Sequence, residues 1–455
     1  MKHGAAWAAL ALVLITVAAG IPTSALAAES GMPLSVDPPL RKWQVQEWLF
    51  AGDPVVSPNG TTYILVGRGG DPGSGGDPMM RVYASDGMLL WERQMHGRVS
   101  VLSPEADGHV FILEKETKAV GDEPHRIARL IRLDGSGASE WSWENEVLWM
   151  GTEVQEACIV DGRAYVIATS WYNTSLPSRV YALERNGSLR WTVDIAANLA
   201  TISHEPRLGG LLISSLSAVF RMQENGSYEK IVNMDGHWFS CSPMVGPENI
   251  IYVAAERGTF PHLPHDSPTE IRAYGLDGVL QWNFTMPLNQ TAIAKTWVRQ
   301  LICLEDGRLL VVGYGGEWLD SAQRFGPFVM CLDGNGTMQW RTEMGHPYSD
   351  AVLSADRLYV CSEHDLLEMD LGGHVLRRYT SMWLADIQGL TIGSDGSFHF
   401  LEISNSGQST LYATGGFPQN TLLDGIINNF FQLVAAALGA VLILYVFRRH
   451  VRGWY

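Results

Sequence analysis

Residues 180–194 read VYALERNGSLRWTVD: two runs in which apolar and polar residues alternate, joined at Asn186-Gly187, with Trp191 closing the second. Alternation with period 2 marks a strand that buries one face. Asn-Gly favours the positive φ that a tight two-residue hairpin turn needs. The stretch therefore predicts antiparallel strands over 180–184 and 188–194. RVYASDGMLLWERQ and IRAYGLDGVLQWNF carry the same pattern, with Asp-Gly at the turn.

Aligned on the closing aromatic, the copies place Trp91, Trp141, Trp191, Trp282 and Trp340 in register. Two degenerate copies, AVFRMQENGSYEKIV and LLEMDLGGHVLRRY, put Ile231 and Tyr379 at that position. The spacing runs from about 40 to about 58 residues, the range of one four-stranded propeller blade. Helical solenoid repeats of similar length would show a 3.6-residue period, which is absent. Each copy follows a second apolar pair, such as EVQEACIVDGRAYVIAT or RQLICLEDGRLLVVGY. Each unit thus has strands A to D, with the aromatic on outer strand D. Seven units are complete. An eighth, ADIQGLTIGSDGSFHFLEI with STLYAT, lacks its D strand, and PLRKWQVQ around Trp43 resembles SLRWTV. The expected fold is all-β: an eight-bladed β-propeller closed by the Trp43 strand, which leaves no open sheet edge between blades. Seven blades are the alternative.

The Y-A-x-D-G-x-L-x-W core at residues 83–91 and its counterparts resemble the quinoprotein-type (PQQ-like) β-propeller repeat, over roughly residues 39–414. That family includes quinone-dependent dehydrogenases and non-catalytic members such as the lipoprotein of the bacterial outer-membrane assembly machine. The enzymes' adjacent-cysteine pair is absent here: the five cysteines are Cys158, Cys241, Cys303, Cys331 and Cys361. No C-x-x-C-H haem motif occurs. The resemblance therefore implies a non-catalytic member with no cofactor.

The ends change the picture. Residues 1–27, MKHGAAWAALALVLITVAAGIPTSALA, combine an early lysine, a short apolar core and an Ala-x-Ala end, as a cleaved secretory signal does. Residues 430–447, FFQLVAAALGAVLILYVF, form an 18-residue run whose one polar side chain is Gln432, enough to cross a bilayer. Arg448, Arg449 and Arg452 follow and should stay cytoplasmic. The expected organisation is a signal peptide (1–27), an outside propeller (28–414), a linker (415–425), a transmembrane helix (426–447) and a cytoplasmic tail (448–455). The formal charge of −16 becomes more negative once Lys2 and the tail arginines are set aside. A nucleic-acid partner would require a basic footprint and is excluded.

Four of the cysteines, Cys158, Cys303, Cys331 and Cys361, fall in predicted strands and read as buried thiols, with a disulfide from Cys331 to Cys303 or Cys361 as the alternative. Seven Asn-x-Ser/Thr sequons occur, at Asn59, Asn173, Asn186, Asn225, Asn283, Asn289 and Asn335, where chance predicts about two. Glycosylation and hairpin-turn chemistry both account for such sites.

Strand order puts A–B and C–D turns on one side of the ring, and B–C and D–A connections on the other. The C–D turns are minimal. Several B–C segments read as long loops: GRGGDPGSGGDPMM, EKETKAVGDEPH, SWYNTSLPS, RGTFPHLPHDSPTE and YGGEWLDSAQRFGP. Long loops on a rigid scaffold are where binding is usually placed. That rim carries Trp171, Tyr172, Phe260 and Trp318 in B–C segments, and Trp238, Trp297 and Trp383 in D–A connections. Acidic residues such as Asp77 and Glu317 accompany them. Aromatic rings beside carboxylates suit sugars or cationic side chains. His262, His265 and Asp266 in PHLPHD form a weak metal motif on a loop. GRGGDPGSGG lacks the lysine and helix of a phosphate loop. The sequence thus predicts a membrane-anchored outside propeller that binds a protein or surface glycan. Alternatives are a quinone-dependent or other propeller enzyme and a structural cell-envelope component.

Overall fold

A computed structural model of the chain describes residues 41–47, 52–67, 77–120, 123–148, 153–170, 176–234, 237–257, 269–286, 293–319, 322–344, 351–362, 364–381, 385–404 and 409–418. The expected signal peptide and transmembrane segment lie outside these residues. No helix among the described residues is long and apolar enough to cross a membrane.

Among the described residues, thirty-three strands form eight antiparallel sheets, the blades of one propeller. Blade 1 contains β2 (Val55–Val56), β3 (Thr62–Val66), β4 (Met79–Tyr83) and β5 (Leu89–Gln94). Blade 2 contains β6 (Arg98–Pro104), β7 (Val110–Val120), β8 (Glu123–Leu133) and β9 (Ser139–Leu148). Blade 3 contains β10 (Glu153–Val160), β11 (Arg163–Thr169), β12 (Ser178–Leu183) and β13 (Leu189–Ile195). Blade 4 contains β14 (Leu199–Glu205), β15 (Gly210–Ser215), β16 (Ala218–Met222) and β17 (Tyr228–Asn233). Blade 5 splits its first strand into β18 (His237–Phe239) and β19 (Met244–Val245), both paired to β20 (Ile251–Arg257), followed by β21 (Thr269–Tyr274) and β22 (Leu280–Thr285). Blade 6 contains β23 (Ile293–Cys303), β24 (Leu309–Leu319), β25 (Ala322–Leu332) and β26 (Met338–Glu343). Blade 7 contains β27 (Ala351–Ser354), β28 (Arg357–Ser362), β29 (Asp365–Asp370) and β30 (Val375–Thr380). Blade 8 contains β31 (Asp386–Ile392), β32 (Phe398–Ile403), β33 (Ser409–Thr414) and, as its outer strand, β1 (Arg41–Glu47). Trp43 lies opposite Ala413. The expected eight-bladed ring and its closure by the Trp43 strand are both present.

The core lies between blades. Eight hydrophobic clusters each join successive blades, ending with one that packs Trp43, Leu411 and Ala413 of blade 8 on Ile64 and Tyr83 of blade 1. B and C strands are covered on both faces, so β11 is buried from Ala164 to Thr169. Outer strands bury one face, and β5 and β22 alternate exposed and half-buried residues. That is why the period-2 signal is clearest at the end of each repeat.

The repeated Trp joins neighbouring blades. Trp141 Nε1 donates to Arg185 O at 2.8 Å, Trp191 to Glu224 O at 2.9 Å and Trp282 to Gly334 O at 2.8 Å. Trp43, Trp91 and Trp340 do the same to Ser85, Gly135 and Leu371. Each acceptor is in the next blade's C–D turn. These are three-residue loops rather than the expected two-residue turns. In blade 3, Gly187 N donates to Glu184 O, Glu184 N donates to Ser188 O, and only Gly187 has positive φ, at +80°. This is a type I turn followed by a left-handed glycine. A Cβ on Gly187 would lie 2.7 Å from the Trp141 ring. The glycine therefore serves both the turn and the indole seated on it.

Two blades lack the tryptophan, and there the sequence alignment slips. The Trp position lies four residues after the turn glycine. Lys230 therefore occupies it in blade 4 and Arg377 in blade 7, instead of Ile231 and Tyr379. Aromatic character was a misleading guide, because both positions hold long basic side chains. Arg377 pairs with Glu368 and lies 4.7 Å from the Phe417 ring centroid. Phe417, just beyond β33, packs on Tyr359 and Phe398. The departing chain thereby fills the place of blade 8's missing C–D turn.

A polar chain, exposed at Lys42 and Asp395 and buried at Ser397, His399 and Thr62, fastens the closing seam. Lys42 Nζ donates to Asp395 at 2.5 Å and Ser397 Oγ to the same carboxylate at 2.6 Å. Ser397 has then used its proton, so the 2.8 Å contact with His399 Nε2 carries the histidine's hydrogen, and Nδ1 accepts from Thr62 of blade 1 at 3.1 Å. Thr391 and Ser394 add hydrogen bonds to Pro54 O and Pro58 O of blade 1.

Two predictions follow the ring's construction. Gly187→Ala and Gly396→Ala both place alanine at positive φ, which costs about 1–2 kcal/mol. Nothing lies within 4 Å of a Cβ at Gly396. Only Gly187→Ala must displace an indole, for about 1–3 kcal/mol more; equal losses in denaturant titrations would contradict the joint. Burial pushes the His399 imidazole down to about 4, whereas an unfolded histidine titrates near 6.5. Between these values the unfolded chain binds a proton that the fold does not. The contribution is complete above about pH 6.5 and is lost as pH falls toward 4, up to about 3 kcal/mol. His399→Gln should flatten that part of the stability–pH curve relative to the parent, and unchanged slopes would contradict the assignment.

Candidate binding face

The A–B and C–D turns on one side of the ring are short. On the other side, blades 2 and 6 project. β7 and β8 stay paired to Val120–Glu123, and β24 and β25 to Leu319–Ala322, with eleven residues in each strand. Strands of five to seven residues serve in most other blades, so each projection adds about 15 Å at 3.3 Å per residue. Blades 2 and 6 are four apart in a ring of eight, so the projections stand opposite each other.

EKETKAVGDEPH and YGGEWLDSAQRFGP, expected as loops, are thus largely strand. A hairpin rising clear of the ring has no core face, so it lacks the apolar alternation by which strands are recognised. Its ladder is sustained instead by backbone pairing and local side-chain contacts. In blade 2, Arg129 bonds Glu144 at 2.7 Å and Glu116 at 2.8 Å, and Asn145 donates to the Tyr181 hydroxyl of blade 3 at 2.9 Å. In blade 6, β23 also extends, from Ile293 opposite Trp318 to Trp297 opposite Tyr314. The half-buried Trp297 ring lies 5.1 Å from that of Tyr314, tilted by 36°.

The structure therefore brings Trp297 and Trp318 onto one extended sheet, neither at a loop tip. Trp318 pairs through its backbone with Ile293 and Gln323. Trp238 lies in β18 opposite Glu256. Trp171, Tyr172, Phe260 and Trp383 fall outside the described residues, as do His262, His265 and Asp266.

Beneath this face, polar groups fix the connections. Glu114, 3% exposed, accepts from His96 N at 3.1 Å. Asp77 accepts from His96 Nδ1 and Gly97 N, and these bonds hold its carboxyl below the usual range. Buried Ser178 contacts Thr169 and donates to Ala197 O, while Leu199 N donates to it. The signal for such residues is a polar residue ending an apolar run, as in FILE. A single run does not reveal which connection it supports.

Two other clusters among the described residues hold residue types that chemistry uses. Asp395, Ser397 and His399 meet, but the serine lies between the acid and the imidazole and is 1% exposed. It cannot reach a substrate as a nucleophile. Among the described residues, Glu105, Asp107 and His109 bring metal-type ligands together on the turn side. The Arg132 guanidinium already bridges Glu105 to Glu140 and supplies the positive charge there. None of the five cysteines is joined in a disulfide. Burial pushes Cys158 and Cys303 up to about 11 and Cys241 to about 12, which makes them poor nucleophiles.

No protein-family model matches the chain, and no curated protein resembles it in sequence. Solved structures do resemble its fold. BamB from Moraxella catarrhalis aligns with a TM-score of 0.50 at 13% identity, over 82% of this chain and 98% of that one. The WD40 domain of SCAP from fission yeast aligns at 0.45 and 12%, over 82% and 97%. The Pan2 WD40 domain of Neurospora crassa aligns at 0.39 and 8%, over 82% and 90%. Such identities speak to fold, and the class is plain: an eight-bladed β-propeller.

The Trp297–Tyr314 pair should stabilise the blade 6 projection. A double-mutant cycle with Trp297→Ala and Tyr314→Ala is expected to give a coupling of about 0.5–1.5 kcal/mol. Additive losses in thermal melts would show that the rings act independently.

Proposed function

We propose that this chain is an extracytoplasmic, membrane-tethered propeller that binds a protein or surface-glycan partner on its B–C/D–A face. One observation carries the reading: the way out of the ring and the projections lie on opposite sides. Arg41 pairs with Thr414 where other blades form their C–D turn, so both chain ends leave on the turn side. Eleven residues separate Pro418 from the apolar segment at 430–447, a reach of roughly 35 Å when extended. The tether therefore holds the turn side toward the membrane. The projections of blades 2 and 6 point away from it, as a rigid support where a partner can approach, and the one on blade 6 holds Trp297 and Trp318 in its strands.

Protease added to intact cells should cut beyond Pro418 and release the propeller, while a tag after Tyr455 stays protected. Digestion of that tag from outside would overturn the topology. Replacing residues 117–126 of the blade 2 projection by a tight turn should abolish partner capture on intact cells, with a melting temperature within a few degrees of the parent. Full capture by that variant would remove the binding face.

A further inference from the structure

We infer that Asn283 and Asn335 carry N-linked glycans, which flank the junction of blades 5 and 6. The inference rests on the outside location proposed above and separates sequons that the turn already explains from sequons it does not.

Asn186 and Asn225 serve their turns. The Asn186 Oδ1 accepts from Ser188 N at 3.0 Å, and Asn225 accepts from Ser227 N at 2.9 Å. Asp86 and Asp277 perform the same task in blades 1 and 5. Asn59 is committed further, since its Nδ2, the atom a sugar would occupy, donates to Ala106 O of blade 2 at 3.1 Å. Asn173 and Asn289 lie outside the described residues.

Asn335 is different. The blade 6 turn is held by Asp333, whose carboxylate accepts from Asn335 N and Thr337 N, both at 2.9 Å. The blade 2 and blade 7 turns use Asp134 and Asp370 in the same way, with Ser136 and Gly372 where blade 6 has Asn335. This turn therefore does not require asparagine. Asn283 lies on β22, opposite Arg272. The same place holds Glu92, Ser142, Thr192 and Arg341 in other blades. Asparagine is a poor strand former, and nothing in the ladder selects it. Both residues are exposed, and neither side-chain amide is used in a hydrogen bond among the described residues. Each begins an Asn-x-Thr acceptor sequence.

The two sites bracket one joint: Asn283 follows Trp282 and Asn335 precedes Gly336, the indole and glycine that meet between blades 5 and 6. A glycan on outer strand β22 would also cover a free sheet edge, where a second chain could otherwise add a strand. The donor would be a lipid-phosphate-linked oligosaccharide. The asparagine amide nitrogen forms a bond to sugar C1, the C1–O bond to phosphate breaks, one amide proton is lost and the lipid phosphate leaves.

The full chain purified from membranes of its own host should yield peptides at Asn283 and Asn335 bearing a glycan mass, and a peptide at Asn59 without one. Asn283→Gln and Asn335→Gln should each remove one glycan step from the mobility on a gel. Unmodified peptides at both sites, in cells whose propeller is protease-accessible, would overturn the inference and leave the location intact. Modification at one site alone would overturn the assignment of the other. A protease-inaccessible propeller would refute the location and the glycans together.

Discussion

The ring depends on an indole resting on the glycine of the next blade's turn. The tryptophan is only half-buried at every joint but the one made by Trp43, so its importance does not come from burial alone. Its N–H is bonded to a turn carbonyl, its face excludes any Cβ at the turn glycine, and its other side packs on its own blade, as Trp91 does on Tyr63 and Trp191 on Tyr165. Three requirements meet at one residue pair, so blade spacing is fixed at the rim while the clusters between B and C strands supply the apolar burial. A repeat that could not bury its faces alone is stable because each neighbour completes it.

The exceptions show what the joint accomplishes. Between blades 7 and 8 there is no turn to receive an indole, because blade 8 is assembled from both ends of the chain. Arg377 and Phe417 substitute for the missing pair, and the polar chain from Lys42 through Asp395, Ser397 and His399 to Thr62 secures the other side of blade 8. Closure therefore adds a polar chain to its apolar packing, and a neutral buried imidazole there makes stability depend on mild acid. The same arrangement fixes where the chain leaves the ring, and that exit links fold to orientation.

Much of this was legible in the sequence. The repeat, the blade count, the Trp43 strand and the short-turn side follow from period-2 alternation and from Asp-Gly and Asn-Gly, because both arise from local sterics and burial. The Trp position in blades 4 and 7 was not legible, since Lys230 and Arg377 replace an aromatic with long basic chains. The projections of blades 2 and 6 read as loops because strands outside the core carry no burial pattern. The candidate aromatics were only partly located: Trp297 and Trp318 share a sheet because of a β23–β24 register of ten pairs that no local motif encodes. Glycine plus acid marks a turn, but which oxygen holds it, Asn186 or Asp333, depends on three-dimensional geometry.

The central claim is that the partner meets the side of the ring facing away from the chain's exit. Lysine cross-linking of the full-length protein on intact cells tests it directly. Lys118 on β7 and Lys295 on β23 lie in the projections, whereas Lys42 on β1 and Lys230 on β17 lie on outer strands. Partner cross-links should map to Lys118 and Lys295; a partner joined through Lys42 and Lys230, with the projections silent, would contradict the account.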